Sequence, residues 1–334
     1  MKELFNHIAN REDLSEEEVE HLFDEILNND ISESEIAAFL MGLKVKGETP
    51  SEITGIVRAL KNHAVLLPRE FDDAMCNSGT GGDQSYSFNI STTASFVLAA
   101  GGIRVAKAGN RSVSSKSGSA DVLEALGINI SATPATLSRA LDEVGLAFIF
   151  AQSMHPAMRF IGPARKVLGI PTIMNIVGPL ANPVDLETQL MGLYRVDLQE
   201  TAAKVMQKLG RKRALIITGP NNMDEAALYG ENTYTLLEND RISQHSFTYQ
   251  DLGMPRVELS DIVGGDAKQN AEILLSVLEN QASPYLETTV LNAGLGFYAN
   301  GKVDNLADGV ELARQLIADG SALAKLRQLQ EVQV

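Results

Sequence analysis

The apolar positions in the first 67 residues recur at the spacing of amphipathic helices. Between Val19 and Leu27, and again between Ile36 and Leu43, they fall three or four residues apart, which places them on one face of a helix. A helix of this kind has to cover its apolar face with a partner. The pattern therefore predicts several short helices that form a small bundle or half of an interface.

Capping boxes mark where three of these helices begin. In a capping box a hydroxyl accepts a hydrogen bond from a free N–H of the first turn, and a Glu three residues later bonds back. Pro50 follows the third hydroxyl at the first helical position, where its missing N–H costs nothing. The pairs are Ser15 with Glu18, Ser32 with Glu35, and Thr49 with Glu52.

The pattern changes after Pro68, which marks a candidate domain boundary. From residue 74 onward short apolar runs alternate with helical patterns and glycine-rich turns, as is typical of a mostly parallel sheet flanked by helices. Asp197 with Glu200 forms another capping box, and Gly210 suits the end of the same helix. Strands are predicted at 103–106, 147–151 and 214–218, and helices at 91–100, 120–126, 134–144, 198–209, 266–280, 306–319 and 322–331.

Composition narrows the class of protein. The chain has 334 residues, 44% of them apolar, and a formal net charge of −15. A chain this acidic, without an exposed basic stripe, is a poor general binder of nucleic acid or anionic membranes. Its single cysteine, Cys76, allows no intrachain disulfide, and its first residues lack the apolar stretch of a signal peptide. We expect a cytoplasmic protein with no nucleic-acid or membrane partner.

Two loops rich in glycine and serine are candidates for binding an anion. GTGGD at 79–83 lets backbone amides approach a ligand, and SFNIST at 87–92 puts hydroxyls at a predicted helix N-terminus. Residues 107–119 carry three cations and five serines after a predicted strand. Neither loop fits the Walker or the dinucleotide pattern, so a phosphate site of another kind is predicted. The alternative interpretations are a flexible turn and a solvated surface loop.

Four further residues have side chains suited to ligands. The adjacent carboxylates of Asp224 and Glu225 can hold Mg²⁺, which takes oxygen ligands and often bridges to phosphate. Arg165 can bind a carboxylate through two parallel hydrogen bonds, and His155 lies ten residues before it. Taken alone, acidic pairs and single Arg or His residues are more often surface or structural features.

Together these segments resemble the anthranilate phosphoribosyltransferases. The resemblance runs from KGETP at 46–50 to LNAGLGFYANG at 291–301 and covers essentially the whole chain, with its most specific part at 110–127. The matching segments are GTGGD at 79–83, SFNIST at 87–92, NRSVSSKSGSADVLEALG at 110–127, HPAM at 155–158 and GIPTIMNIVGPLANP at 169–183.

The resemblance implies a fold and a reaction. A small helical domain at 1–70 would pack on a larger α/β domain at 71–334, which has a mostly parallel central sheet flanked by helices. Residues 165–185 would contact the helical domain, through which two copies would form a homodimer. The reaction would transfer the phosphoribosyl group of phosphoribosyl pyrophosphate (PRPP) to the amine of anthranilate in tryptophan biosynthesis. Two Mg²⁺ ions would accompany the donor pyrophosphate.

The resemblance also implies roles for individual residues. Lys107 and Arg111 would stabilise the leaving group, and no residue is assigned as a general base. Metal would be held by Ser91, Asp224 and Glu225. Anthranilate would be bound by Gly79, Asn110, His155, Arg165 and Pro179. The donor would be bound by Gly79, Gly82, Asp83, Ser87, Asn89, Ile90, Ser91, Thr92, Lys107, Ala108, Gly109, Asn110, Arg111, Ser112, Val113, Ser114, Ser115 and Ser119.

One position departs from the family pattern, and two other functions stay open. The family usually has Lys-His-Gly-Asn-Arg where this chain has Ala108, so we expect anthranilate binding to be affected more than donor binding. A nucleoside phosphorylase, similar in fold, would use inorganic phosphate and would not need the acidic pair. A non-catalytic relative that binds nucleic acid would need a basic surface, which a net charge of −15 disfavours.

Overall fold

The computed structural model describes residues 2–112 and 116–332. The chain begins with a helical bundle, and the three predicted capping boxes at Ser15, Ser32 and Thr49 are all formed. The bundle consists of α1 (Lys2–Ala9), α2 (Glu16–Leu27), α3 (Glu33–Lys46) and α4 (Pro50–Asn62).

The described residues beyond the bundle form a seven-stranded sheet. Its spatial order is β3-β2-β1-β4-β5-β6-β7. Neighbours from β3 to β5 run parallel, and β6 and β7 add an antiparallel edge. The strands are β1 (Ala74–Gly79), β2 (Arg104–Gly109), β3 (Leu146–Phe150), β4 (Leu186–Gly192), β5 (Arg213–Thr218), β6 (Asn232–Glu238) and β7 (Arg241–Phe247).

Helices connect the strands and cover both faces of the sheet. They are α5 (Ile90–Ala100), α6 (Ser119–Ala125), α7 (Pro134–Glu143), α8 (Ala151–Met154), α9 (Gly162–Leu168), α10 (Met174–Leu180), α11 (Gln199–Lys208), α12 (Ala267–Leu278), α13 (Pro284–Asn300), α14 (Leu306–Ala318) and α15 (Ser321–Val332). Across residues 2–112 and 116–332, every helix falls short of the length and apolar content needed to cross a bilayer.

The capping box predicted at Asp197 and Glu200 is wrong, although the helix lies within one residue of its predicted bounds. Asp197 lies in a 3₁₀ turn, and its carboxylate binds Arg195 at 2.7 and 2.6 Å instead of capping a helix. The helix begins at Gln199 without a side-chain cap. Gly210, with φ of 80°, follows the end of this helix as predicted.

Two apolar cores lie on opposite faces of the sheet. Leu190 of β4 belongs to the core that includes α5 and α13, whereas its neighbour Met191 belongs to the core shared with the helical bundle. This alternation follows from the two-residue period of a strand. Ile173 and Met174 also lie in the bundle core. The sheet therefore carries the bundle on one face, and the open carboxyl ends of its parallel strands form the edge where such sheets bind ligands.

Candidate functional site

Three neighbouring strands end in glycine at the carboxyl edge of the sheet. Gly79 of β1 and Gly192 of β4 are paired in the register, and Gly109 ends β2. A Cβ on Gly79 would lie 2.3 Å from Asp224 Oδ2, and a Cβ on Gly192 would lie 1.6 Å from the Asp224 carbonyl oxygen. The absence of side chains at these two positions allows Asp224 to lie directly over the strand ends.

Lys107 is a buried cation at the same edge. Lys107 is only 3% exposed. Its Nζ donates to the carbonyl oxygen of Asn77 at 2.8 Å and to Ser91 Oγ at 3.2 Å. Burial lowers the pKa of Lys107, and the nearby thiol of Cys76 and carboxylates of Glu225 and Asp224 oppose that effect. Lys107 therefore brings one ammonium group next to the first turn of α5.

Two carboxylates stand opposite this lysine. Asp224 is buried, and its Oδ2 accepts from the Gly81 N–H at 2.6 Å. Burial raises the pKa of Asp224 well above its usual value, with further contributions from Asp83 and Glu225. Burial also raises the pKa of Glu225 to about 7, although Lys107 acts in the opposite direction. Burial is therefore the main reason that both carboxylates favour the neutral form more than a solvent-exposed carboxylate does.

The first turn of α5 presents backbone donors to this group. Asn89 is the N-cap residue, and its side chain makes no capping bond. The side chains of Ile90 and Thr92 are buried, so a ligand could reach only their backbone, and the Ile90 N–H already donates to the Phe88 carbonyl oxygen at 2.7 Å. Glu225 Oε1 already accepts from the Ser91 N–H at 3.2 Å. A helix N-terminus that holds a carboxylate is also suited to a phosphate.

The donor atoms of this edge fit a hard divalent cation. Asp224, Glu225 and Ser91 supply oxygen atoms, which Mg²⁺ prefers, and the ammonium group of Lys107 lies near the carboxylates of Glu225 and Asp224. Within the described ranges, no three His, Cys, Asp or Glu side chains lie close enough together to hold a metal ion unaided. A cation here would take its remaining ligands from water and from substrate, as Mg²⁺ commonly does.

The second predicted loop is held by hydrogen bonds to α6. Ser119 Oγ donates to the Asn110 carbonyl oxygen at 3.3 Å. Arg111 binds Asp121 at 2.8 Å and Glu124 at 2.7 and 2.9 Å, and these carboxylates raise its pKa. The guanidinium of Arg111 therefore also anchors the loop to the start of α6. The predicted donor contacts at Val113, Ser114 and Ser115 lie outside the described residues.

The close approach at Gly192 predicts a strong effect of Gly192→Ala on stability. The added methyl group has to displace the Asp224 backbone, because 1.6 Å is far inside van der Waals contact. We expect the free energy of unfolding to fall by about 3 kcal/mol or more, the upper range for an overpacked core. Thermal melting measures the loss. Gly162→Ala is the control, since a Cβ there meets nothing within 4 Å; equal melting temperatures for the two variants would contradict the close packing of Asp224 on Gly192.

Known proteins match this arrangement along its whole length. The family model for the glycosyl transferase helical bundle domain matches residues 2–64, and that for the a/b domain matches residues 72–323. The chain is 78% identical to an anthranilate phosphoribosyltransferase of Streptococcus thermophilus over 334 residues, which is 100% of both proteins. The chain belongs to the anthranilate phosphoribosyltransferase family. A relative from Streptococcus mutans is 64% identical over the same length.

Solved structures of anthranilate phosphoribosyltransferases have the same fold. The enzyme of Thermus thermophilus is 34% identical, with a TM-score of 0.93 over 98% of each chain. That of Saccharomyces cerevisiae, in complex with PRPP and Mg, is 25% identical, with a TM-score of 0.86 over 96% of this chain and 93% of the other. The fold predicted from the sequence, a helical bundle on a mostly parallel α/β sheet, is confirmed.

Three of the five residues that the family resemblance assigns to anthranilate lie apart from the donor loops, whereas Gly79 and Asn110 lie within them. His155 follows α8, Arg165 is on α9, and Pro179 is a buried residue of α10. Burial lowers the pKa of Arg165, and no charged group in the described part of the chain offsets it. Burial also lowers the pKa of His155, although hydrogen bonds to the backbone of Ala181 and Leu60 act in the opposite direction. Arg165 therefore offers a half-buried guanidinium without an anionic partner among the described residues.

Position 108 faces away from the lysine. Lys107 points to the α5 face of the sheet, so strand alternation directs its neighbour Ala108 away from Lys107, where it is partly buried against residues of the larger core. Ala108 is therefore directed away from the group that Lys107 forms with Ser91. Pro179 of α10 contacts the sheet at β4, because its carbonyl oxygen accepts from Gln189 Nε2 at 2.7 Å.

The contacts divide the predicted residues into two groups. Hydrogen bonds or close approach join Gly79, Asp83, Ser91, Lys107, Asp224 and Glu225. Among the described residues the group of His155, Arg165 and Pro179 makes no hydrogen bond to that set. Sequence reasoning missed Asn77, a buried strand residue that binds both Ser91 O at 2.9 Å and Ser95 Oγ at 2.9 Å. Its polar side chain within the apolar β1 run was the available signal.

Proposed function

We propose that this chain transfers the phosphoribosyl group of PRPP to the amine of anthranilate and releases pyrophosphate, with Mg²⁺ as cofactor. The observation that carries the proposal is the contact of buried Lys107 with Ser91 beside the carboxylates of Asp224 and Glu225. This group unites donors for a diphosphate with oxygen ligands for Mg²⁺. The yeast relative in complex with PRPP and Mg supports the same small molecules for this chain.

The donor would lie across the carboxyl ends of β1 and β2. We assign its diphosphate to Lys107, the first turn of α5 and the loop after β2, because the Lys107 ammonium group contacts Ser91 Oγ in that turn and a helix N-terminus suits an anion. The residues proposed to bind it are Gly79, Gly82, Asp83, Ser87, Asn89, Ile90, Ser91, Thr92, Lys107, Ala108, Gly109, Asn110, Arg111, Ser112, Ser119 and the undescribed Val113, Ser114 and Ser115.

Ser91, Asp224 and Glu225 would hold Mg²⁺. Two ions are proposed, because the excess of buried carboxylates over cations leaves room for more positive charge. When bound, Mg²⁺ supplies charge that stabilises the departing pyrophosphate. The residues of the chain supply the oxygen atoms and keep them aligned: Gly81 donates to Asp224, and the Ser91 N–H donates to Glu225.

The reaction breaks the bond from ribose C1 to the pyrophosphate oxygen and forms a bond from C1 to the anthranilate nitrogen. The bonding electrons leave with pyrophosphate, and the amine then loses a proton to solvent. Lys107 faces the leaving group, where negative charge grows in the transition state. An aromatic amine is neutral near pH 7, so its lone pair is free and no general base is assigned. Positioning and leaving-group electrostatics supply the catalysis.

Anthranilate is assigned to Gly79, Asn110, His155, Arg165 and Pro179. Arg165 supports this assignment because its half-buried guanidinium lacks a described anionic partner and suits a carboxylate. Asn110 lies between the two groups of residues, since Gln152 Nε2 on α8 donates to its Oδ1 at 3.2 Å. Ala108 would leave room beside the acceptor where the family usually has His.

Arg165→Ala is expected to raise the KM for anthranilate by about tenfold to a hundredfold, the value of one or two hydrogen bonds to a charged group. The KM for PRPP should change less than twofold, because Arg165 lies outside the donor group. Steady-state kinetics with each substrate varied in turn measures both. Lys166→Ala is the matched control, since it removes an exposed cation from the same helix. An unchanged anthranilate KM in Arg165→Ala would show that the carboxylate binds elsewhere.

A homodimer through the helical domain and a cytoplasmic location complete the proposal. Exposed apolar side chains at Met41 and Val45 on α3, and at Val167 on α9, support an interface beside the bundle. The single buried cysteine, Cys76, suits a reducing compartment. Closure of the domains over both substrates would use hinges near Pro68 and residues 170–183.

The proposed reaction is tested by the fluorescence of anthranilate after addition of PRPP, with and without Mg²⁺. A fall in fluorescence that requires Mg²⁺ is the expected result. Chelation by EDTA should stop the fall, and added Mg²⁺ should restore it. Persistent fluorescence under all conditions would reject the function, and a reaction of a nucleoside with inorganic phosphate without Mg²⁺ would replace it by phosphorolysis.

A further inference from the structure

Asn270 is a buried amide outside the residues assigned so far. It lies in the second turn of α12 and is 3% exposed. Its Nδ2 donates to Asn89 Oδ1 at 2.8 Å, and its Oδ1 accepts from the Gly265 N–H at 2.7 Å. Asn89 belongs to the loop assigned to the donor. A buried side chain far along the sequence therefore binds a proposed ligand residue directly.

The bonding pattern fixes the direction of both amides. The Gly265 N–H can only donate, so the atom of Asn270 that faces it has to be the oxygen. The NH₂ group of Asn270 then faces Asn89, and it too can only donate, so Asn89 presents its oxygen there. The NH₂ group of Asn89 consequently points the other way, where it donates to the Ser117 carbonyl oxygen at 3.4 Å.

The segment that carries Gly265 is itself bonded to the donor loop. The Phe88 N–H donates to the Ile262 carbonyl at 3.0 Å, and the Gly264 N–H donates to the Tyr86 carbonyl at 2.8 Å. A Cβ on Gly264 would lie 2.9 Å from Phe88 Cα. The loop, the 262–265 segment and the start of α12 are thus held together by backbone contacts, and Asn270 lies at their junction.

We propose that Asn270 is a positioning residue for the donor site, which sets the orientation of the Asn89 amide so that its NH₂ group faces the diphosphate of PRPP. This inference rests on the proposed function. An NH₂ group stabilises an anionic oxygen, whereas the amide oxygen repels it. Locking the amide before the donor binds removes the cost of turning it.

Asn270→Asp tests the orientation with little change in volume. One carboxylate oxygen can still accept from Gly265, but the other repels the Asn89 oxygen and makes the Asn89 amide turn. We expect the KM for PRPP to rise about tenfold to a hundredfold, while the KM for anthranilate stays within twofold. Gln269→Glu is the matched control: it adds the same charge to the neighbouring exposed residue and keeps an acceptor for the Asp266 N–H. A PRPP KM in Asn270→Asp equal to that of the control would overturn the proposal.

A double-mutant cycle separates positioning from support of the fold. If Asn270 acts through Asn89, Asn270→Ser should raise the PRPP KM severalfold alone but add less than twofold in an Asn89→Ala background. Equal effects in both backgrounds would mean a structural role and overturn the proposal. The smaller Asn270→Ser change also serves if Asn270→Asp fails to fold.

Calorimetry with magnesium pyrophosphate gives a readout independent of turnover. Asn270→Asp should weaken this binding by a factor similar to the rise in PRPP KM. A wild-type chain that binds magnesium pyrophosphate but makes no product would reject the proposed function while leaving the role of Asn270 intact. A turnover-competent wild type whose pyrophosphate affinity is unchanged by Asn270→Asp would reject the positioning role alone.

Discussion

Replacing Lys107 by methionine is expected to lower kcat/KM for PRPP by about 10³-fold, the upper range for loss of one preorganised group that stabilises transition-state charge. Methionine fills similar space in the strand but donates to neither the Asn77 carbonyl nor Ser91 Oγ. The carboxylates of Asp224 and Glu225 lose the cation beside them, so the site repels the diphosphate more strongly. The KM for anthranilate should change less, because three of its assigned residues, His155, Arg165 and Pro179, make no hydrogen bond to the Lys107 group within the described ranges.

The control for this variant is Lys204→Met, which changes the net charge equally at an exposed position of α11. Thermal melting establishes that both variants fold. Calorimetry then separates loss of donor binding from loss of the chemical step, because Lys107→Met should weaken magnesium pyrophosphate as well as PRPP. If kcat/KM for PRPP stayed within tenfold of the wild type, Lys107 would be a buried structural lysine and the donor assignment would have to move.

Local patterns determined how much of the fold could be predicted. The helices of the bundle have caps and amphipathic spacing, so they were recognisable from neighbouring residues alone. The helix α13, Pro284–Asn300, was not predicted, because nearly every side chain between Leu286 and Phe297 is buried and the apolar period disappears. The β6–β7 hairpin was also missed. Its two turn residues, Asn239 and Asp240, adopt positive φ of 50° and 59°, and Asn and Asp are residue types that favour such a turn.

The candidate site could be proposed from the sequence where its residues are contiguous and not where they come together only on folding. The loops at 79–92 and 107–119 carry their glycines, hydroxyls and cations in short runs. The amide pair of Asn89 and Asn270 joins residues 181 positions apart, and no local signal marks it. The capping box predicted at Asp197 failed for a different reason. The local pattern was present, but the carboxylate of Asp197 binds Arg195 instead of the helix N-terminus.

Removing the charges of Asp224 and Glu225 is expected to lower the activity of the protein and to raise its stability. Asp224→Asn with Glu225→Gln is expected to reduce kcat/KM by about 10³-fold or more, because the oxygen ligands proposed for Mg²⁺ lose their charge. The ligand-free protein should nevertheless melt about 1–2 °C higher, which corresponds to about 1 kcal/mol in a chain of this size. The amide oxygens can still accept from Gly81 and from the Ser91 N–H, while the cost of burying two carboxylates beside Asp83 is removed.

Mg²⁺ titration and melting on the same samples check both halves of this expectation. The concentration of Mg²⁺ that gives half-maximal activity should rise, and Mg²⁺ with pyrophosphate should raise the melting temperature of the wild type but not of the double variant. Glu231→Gln, at an exposed position before β6, is the control for loss of one negative charge.

A double variant that melts lower than the wild type without Mg²⁺ would mean that the carboxylates hold the strand ends together. Unchanged Mg²⁺ dependence would mean that the metal binds elsewhere. A higher melting temperature with lost activity would mean that the protein retains these buried charges for catalysis, at the expense of stability.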